Sequence, residues 1–346
     1  MQATMKALIK PEAGYGAKLV TVPVPKPGPG EILIKVRATS ICGTDVHIYT
    51  WDPWAQGRIK PPMIFGHEFS GEVVEVGQGV TSVKVGDFVS AETHIVCNVC
   101  TQCRTGQAHI CKDCKIIGVD RQGCFAEYIV IPAENAWQNP PGLDPAVAAL
   151  QEPLGNAVHT VFSGAITAKT VLVTGCGPIG VLAVGVAKAV GASRVIAADL
   201  NEYRLELAKA MGATDLVNSG KEDLADAVYS MLGQDGVDVV LEMSGAPSAI
   251  NQGLKVLKNG GRMSILGIPT RPVEVDIAND IVFKGITIKG ITGRAMYDTW
   301  YTTRGLLESG RLNVEPLLTH RFRLEEYEKA FEVMISGNSG KVVLIP

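Results

Sequence analysis

The run Gly175-Cys176-Gly177-Pro178-Ile179-Gly180 constrains the fold of this chain more than any other stretch. It follows Thr170–Thr174, a short apolar segment of the kind buried on both faces of a parallel sheet, and opens a helical stretch over 179–190. A glycine-rich turn between strand and helix is the context of the dinucleotide fingerprint. Gly175 permits the tight turn, Gly177 lets the backbone approach a pyrophosphate, and Gly180 allows close helix–strand packing at a helix N-terminus that favours anions. Asp199 closes the next predicted strand, where an acid binds the ribose 2′-hydroxyl and repels a 2′-phosphate, so the expected cofactor is NAD rather than NADP. Further strands (194–199, 215–217, 237–242, 261–266, 286–289) alternate with helices (202–211, 222–232, 248–257). That alternation is the pattern of a doubly wound parallel sheet in an α/β fold. Helices over 299–308 and 325–335 and a strand over 341–345 close the chain.

The part before residue 155 has another texture. Predicted strands over 31–38, 71–77 and 87–90 are short and separated by turns such as Gly28-Pro29-Gly30, which suggests a β-rich, barrel-like domain. Two domains suit a length of 346 residues. Hydrophobic residues make up 46% and charged residues 19%, and the net charge of −3 offers no footprint for nucleic acid or an anionic membrane. Residues 5–10 read as a first strand, not a signal peptide, and no apolar stretch is long enough to span a membrane, so a cytoplasmic protein is expected.

In a reducing compartment the eight cysteines need a reason. Cys97, Cys100, Cys103 and Cys111 have the spacing of a closed, four-thiolate structural zinc site. An iron–sulfur cluster of the bacterial ferredoxin type would have a shorter last gap and a proline after the fourth cysteine, where Lys112 stands here. Cys114, Cys124 and Cys176 have no task, and His94, His109, His159 and His320 lack a supporting constellation.

A second metal set is spread more widely. Cys42, His67 and a carboxylate from Glu68 or Glu152 would give zinc three protein ligands and an open position. Apolar Ile64, Phe65 and Phe69 flank Gly66-His67-Glu68 and would keep that site dry. A substrate alcohol there would lose its proton near neutral pH and could pass hydride to a nicotinamide. Thr44 and His47, two and five residues beyond Cys42, supply a hydroxyl and an imidazole to carry the proton to solvent.

These residues together resemble the zinc-containing medium-chain alcohol dehydrogenase family over the full length. The likeness runs from Cys42-Gly43-Thr44-Asp45-x-His47 through Gly66-His67-Glu68 and the four-cysteine lobe to the Gly175 fingerprint. The best-known branch has a second cysteine as third ligand; here the region reads Gln151-Glu152-Pro153-Leu154, which is similar to the polyol and threonine dehydrogenase branch. Residues 45–54 and 290–301 are similar to the threonine-oxidising members. The resemblance implies a GroES-like catalytic domain over 1–154, completed by 295–346, with a Rossmann domain over 155–294. It implies oxidation of L-threonine to 2-amino-3-oxobutanoate with NAD, catalytic roles for Thr44, His47 and Glu152, and a homotetramer. Cofactor contacts are implied for Gly175, Gly177, Ile179, Gly180, Asp199, Arg204, Leu266, Gly267, Ile268, Ile291 and Thr292. Arg294 is the candidate partner of the substrate carboxylate, because a guanidinium holds a carboxylate in a bidentate pair. A polyol dehydrogenase with the same zinc and NAD sites and a non-catalytic nucleotide-binding protein are the alternatives.

Overall fold

The structure, a computed structural model, describes residues 3–346. The chain forms two compact units: the part up to Glu152 together with Leu318–Pro346, and Pro153–Leu317. The expected return to the first unit at 295 is corrected to Leu318. Packing is the reason, because Trp300, Leu306, Leu312, Val314 and Leu317 are buried and a Cβ built on Gly185 would lie 3.0 Å from Leu312 Cδ1. The helix Asp298–Glu308 therefore stays with the second unit.

The first unit is β-rich. Its seven-stranded sheet runs in the order Ala136–Gln138, Phe88–Ala91, Glu68–Val76, Glu31–Ser40, Lys341–Ile345, Leu318–Arg323, and Tyr128–Pro132 also pairs with Glu31–Ser40. A three-stranded sheet contains Lys18–Pro23, Thr4–Lys10 and Met63–Ile64. Ile32, Ile34, Phe65, Phe69, Phe125, Phe331 and Leu344 form part of one core, with Tyr49 stacked on Phe331 at 4.2 Å. Register then decides which polar groups meet. Ser40 is opposite Glu68 on one neighbouring strand and Val343 on the other, so Ser40, Glu68 and Lys341 converge inside the sheet.

The second unit holds a six-stranded parallel sheet in the order Asp215–Asn218, Arg194–Asp199, Thr170–Thr174, Val237–Glu242, Leu257–Ile265, Thr287–Gly290. Helices Pro178–Ala189, Glu202–Ala210, Leu224–Leu232 and Pro247–Val256 connect these strands. Local sequence sets where they start. Asn201 and Asp223 accept backbone N–H bonds as N-caps, and Pro178 and Pro247 open helices where a missing N–H costs nothing. The order of the strands reverses between Thr170–Thr174 and Val237–Glu242, which is where such sheets bind ligands, at the carboxyl ends of the strands. Among the described residues no helix is long and apolar enough to cross a membrane.

Candidate active site

Cys42 is the N-cap of the helix Gly43–Thr50, directly after the strand Glu31–Ser40. His67 and Glu68 lie where Gly66 feeds the strand Glu68–Val76. The candidate ligand atoms of Cys42, His67 and Glu68 all lie within 4.8 Å of one another. The backbone fixes this arrangement. Gly66 has φ +90°, and a Cβ there would meet the Phe125 ring at 2.5 Å. Cβ atoms on Gly118 and Gly123 would fall 2.2 and 2.3 Å from the Gly66 carbonyl oxygen, which accepts the Cys124 N–H at 2.9 Å.

Asp45, fully buried, links two of the candidate ligands. Its Oδ2 accepts the Cys42 N–H at 2.8 Å, and its Oδ1 stands 3.5 Å from His67 Nδ1. With Nδ1 turned toward a carboxylate, Nε2 is the nitrogen left for an ion, the usual arrangement around a zinc-bound histidine. Burial alone would depress the His67 imidazole, but Asp45 and Cys42 outweigh it and hold it well above the ordinary range. Surroundings that favour a proton so strongly favour a metal cation as well.

Glu68 is fully buried, and its carboxylate accepts hydrogen bonds from Ser40 Oγ and Lys341 Nζ, the latter at 2.6 Å to Oε1. Lys341 is itself 1% exposed. Burial would lower its ammonium pKa, yet Glu68, Cys42 and Glu152 raise it above the ordinary lysine value. Glu152 is 5% exposed and accepts Thr93 Oγ1–H at 2.9 Å. The Thr44 hydroxyl lies 3.9 Å from Cys42 Sγ. His47 is exposed, with Nδ1 2.6 Å from Asp52 Oδ2, while Asp52 Oδ1 caps the helix Pro53–Arg58 through the Ala55 N–H.

The sequence offered Cys42, His67 and Glu68 as candidate ligands, which the fold brings together, but gave no account of the residues that brace them and their neighbours, Ser40, Asp45, Asp52, Thr93 and Lys341. Asp45 carried a signal, being three residues into a helix that starts at a ligand. Lys341 carried a fainter one, a lysine opening an otherwise apolar strand 273 residues from Glu68.

The four cysteines of the lobe also bring their sulfurs within 4.8 Å of one another, with Cys100–Cys103 at 3.4 Å, Cys100–Cys111 at 3.9 Å and Cys97–Cys103 at 4.0 Å. Zn–S bonds of about 2.3 Å in a tetrahedron require sulfur separations of about 3.8 Å. The lobe fits zinc. Backbone N–H from Cys103 helps to lower the Cys100 thiol to about 6, toward the thiolate a metal needs.

In the second unit the three glycines of the fingerprint have separate roles. Gly175 has φ +87°, and its Cβ would lie 2.7 Å from Ser244; a Cβ on Gly180 would be 1.9 Å from the Gly175 carbonyl oxygen. A Cβ on Gly177 would meet nothing within 4 Å, so the cradle is open at the helix N-terminus where a pyrophosphate fits. Asp199 accepts the Cys176 N–H at 2.6 Å and the Asn201 N–H at 2.8 Å. Arg204 Nε is buried with no hydrogen-bond partner among the described residues. Ile179 is half-buried, Leu266 and Gly267 line the rim, Ile268 is 87% exposed, Ile291 is buried and Thr292 exposed. Arg294 is 1% exposed; a Cβ on Gly155 would lie 2.7 Å from its Cδ, and its Nη1 donates to Asn156 Oδ1 at 3.4 Å.

Residues 28–141 match the model of the alcohol dehydrogenase GroES-like domain, and residues 178–309 that of the zinc-binding dehydrogenases. The chain is 58% identical to L-threonine 3-dehydrogenase of Bacillus licheniformis, covering 100% of both chains. Among solved structures it resembles a putative zinc-binding dehydrogenase from Sinorhizobium meliloti bound to NADP, at a TM-score of 0.92 and 32% identity over 100% of both chains. It also resembles 2R,3R-butanediol dehydrogenase from Bacillus subtilis, at a TM-score of 0.89 and 32% identity over 99% of both. A Cys–His–Glu set on the GroES-like unit, a four-thiolate lobe and an open dinucleotide cradle agree with those matches: the chain belongs to the zinc-binding dehydrogenases of the alcohol dehydrogenase family.

Proposed function

We propose that this chain oxidises the secondary hydroxyl of L-threonine to 2-amino-3-oxobutanoate with NAD as hydride acceptor. The observation that carries the substrate is the 58% identity to an L-threonine 3-dehydrogenase over the whole of both chains. The Cys42–His67–Glu68 set, with His67 and Glu68 buried and Cys42 half-buried, carries the chemistry. When bound, zinc supplies Lewis acidity toward the substrate hydroxyl, and NAD accepts the hydride.

The chain's residues do the rest. Cys42, His67 and Glu68 would hold the catalytic zinc, and Cys97, Cys100, Cys103 and Cys111 would hold the structural one. Both oxygens of Glu68 accept from Lys341 Nζ, so the ammonium would fix the carboxylate that the metal meets. Glu152 is assigned an orienting role, which its hydrogen bond from Thr93 supports. Thr44 receives the hydroxyl proton and His47 passes it to solvent, with Asp52 fixing the imidazole. The open cradle at Gly177 supports pyrophosphate binding, and Asp199 with Arg204 is assigned the adenosine ribose. Ile179, Leu266, Gly267, Ile268, Ile291 and Thr292 are assigned further contacts with the cofactor. Arg294 is assigned the substrate carboxylate; Arg294→Ala should raise the KM for threonine far more than for an uncharged secondary alcohol, and equal losses would remove that role.

A homotetramer is part of this reading. The edge strand Thr287–Gly290, with Ile288, is exposed at every residue, and Ile277, Val282 and Phe283, shortly before it in the chain, are exposed too, a surface that pairing with a second copy would cover. Light scattering of the wild type and of Phe283→Glu/Ile288→Glu tests it. The cytoplasm suits eight cysteines that form no disulfide among the described residues. NADH formation from threonine, sorbitol and 2,3-butanediol, before and after chelation, tests the function: threonine must dominate, and activity must return with zinc. Preference for either diol would favour a polyol dehydrogenase.

A further inference from the structure

Glu242 is a fully buried carboxylate that the mechanism above does not use. It ends the strand Val237–Glu242, opposite Thr174 at the end of the strand leading into the glycine loop and opposite Ile265 on the other side. Its side chain accepts from Ser244 N–H at 2.9 Å, Gly245 N–H at 3.1 Å, Thr174 Oγ1 at 3.4 Å and the Ser244 hydroxyl. Ser244 Oγ already accepts the Ala246 N–H at 3.0 Å, so its own proton points to Glu242. Neutral donors therefore surround the group, and among the described residues no cation pairs with it. A charged carboxylate is what such a ring of donors stabilises.

The place of this charge gives it a role. The backbone oxygen of Glu242 accepts the Leu266 and Gly267 N–H groups at 2.9 and 3.1 Å, and a Cβ on Gly267 would lie 2.6 Å from Glu242 Oε2. The charge thus lies directly beneath the rim formed by Leu266, Gly267 and the 87% exposed Ile268. Asp199 draws the adenosine half of a dinucleotide to one side of the point where strand order reverses, which leaves the nicotinamide half to this side. That half is cationic in NAD⁺ and neutral in NADH.

We infer that Glu242 is a specificity-determining residue for cofactor oxidation state, a fixed negative charge that favours NAD⁺ over NADH. The inference rests on the assignment of NAD to the Gly175 loop. A negative charge there favours loading of the oxidant and release of the reduced product, and a charge pair across a partly solvated crevice changes a binding constant by about fivefold to tenfold.

The test is direct binding of NAD⁺, NADH and ADP-ribose to the zinc-loaded protein and to Glu242→Gln. The ratio Kd(NAD⁺)/Kd(NADH) should rise about fivefold to tenfold in the variant, while ADP-ribose affinity stays within about twofold. An unchanged ratio, with both dinucleotides weakened alike, would make Glu242 a mere anchor of the 243–246 turn and overturn the inference. A ligand-side comparison on the wild type needs no variant: benzamide adenine dinucleotide, which has a neutral ring of nearly the same shape, should bind about fivefold to tenfold more weakly than NAD⁺. Equal affinity would overturn it too. Failure of ADP-ribose to bind the wild type would instead refute the cofactor site itself.

Discussion

Replacing Lys341 by Met tests the buried charge arrangement most severely. The substitution keeps the volume of the stem but removes the ammonium that pairs with the Glu68 carboxylate and a donor to the Ile41 carbonyl oxygen at 3.2 Å. Removing one member of a buried ion pair costs about 3–5 kcal/mol. A second route gives a similar figure, because Glu68 can escape by taking up a proton. Holding a carboxyl of ordinary acidity neutral costs about 3.7 kcal/mol at pH 7 and about 1 kcal/mol at pH 5. The sign follows from linkage. Burial already raises the folded pKa of Glu68 against the opposing pull of Lys341, and losing that ammonium raises it further above the unfolded value, so the variant loses stability relative to the wild type as pH rises from about 4. Urea unfolding of zinc-stripped protein should show a deficit of about 3–4 kcal/mol at pH 7 that shrinks to about 1 kcal/mol at pH 5. Reloading zinc should recover part of it, since a cation held by Cys42, His67 and Glu68 would offset the carboxylate left without its ammonium. A deficit below about 1 kcal/mol at pH 7, or one flat with pH, would refute the reasoning.

Other perturbations separate structural from chemical roles. Gly177→Ala should fold normally, because its methyl meets open space, yet weaken NAD binding at least about tenfold by filling the cradle; Gly180→Ala should instead cost about 1–3 kcal/mol of stability, its methyl falling 1.9 Å from a carbonyl oxygen. Asp52→Asn retains a good N-cap, so thermal stability and zinc content should hold while kcat falls about tenfold; an unchanged kcat would remove Asp52 from the proton path. Cys103→Ser should lower zinc content by one ion per chain in metal analysis, and loss of both ions would show that the two metal sites are not independent.

Legibility in the sequence followed the range of the interactions concerned. The strands 194–199, 237–242 and 341–345 coincide with their observed limits, because apolar runs bounded by turn residues report burial locally. The helices Gly43–Thr50 and Pro145–Val161 were not anticipated. The first is nearly as polar on one face as on the other, and the second contains Pro153, which reads as a breaker. The clustering of Cys42, His67 and Glu68 was legible because Cys, His and Glu in such patterns are chemically distinctive. Their supports were not. Lys341 meets Glu68 through strand register, and Thr93 meets Glu152 across 59 residues; neither contact leaves a trace in local composition. The boundary at 318 was hidden for the same reason, since the segment that follows the helix Asp298–Glu308 is held by contacts such as Leu312 with Gly185.

The crowding of Gly118, Gly123 and Phe125 around Gly66 bears on how the metal is acquired. Many small metal sites are assembled by the ion, so that part of the binding free energy goes into ordering flexible ligands. Here the turn carrying His67 and Glu68 is set when the sheet folds, and the ordering entropy falls on folding rather than on zinc uptake. A site organised in that way presents one ligand triangle to whatever ion arrives. Substitution of cobalt for zinc should therefore change the electronic properties of the centre and leave its backbone where it was.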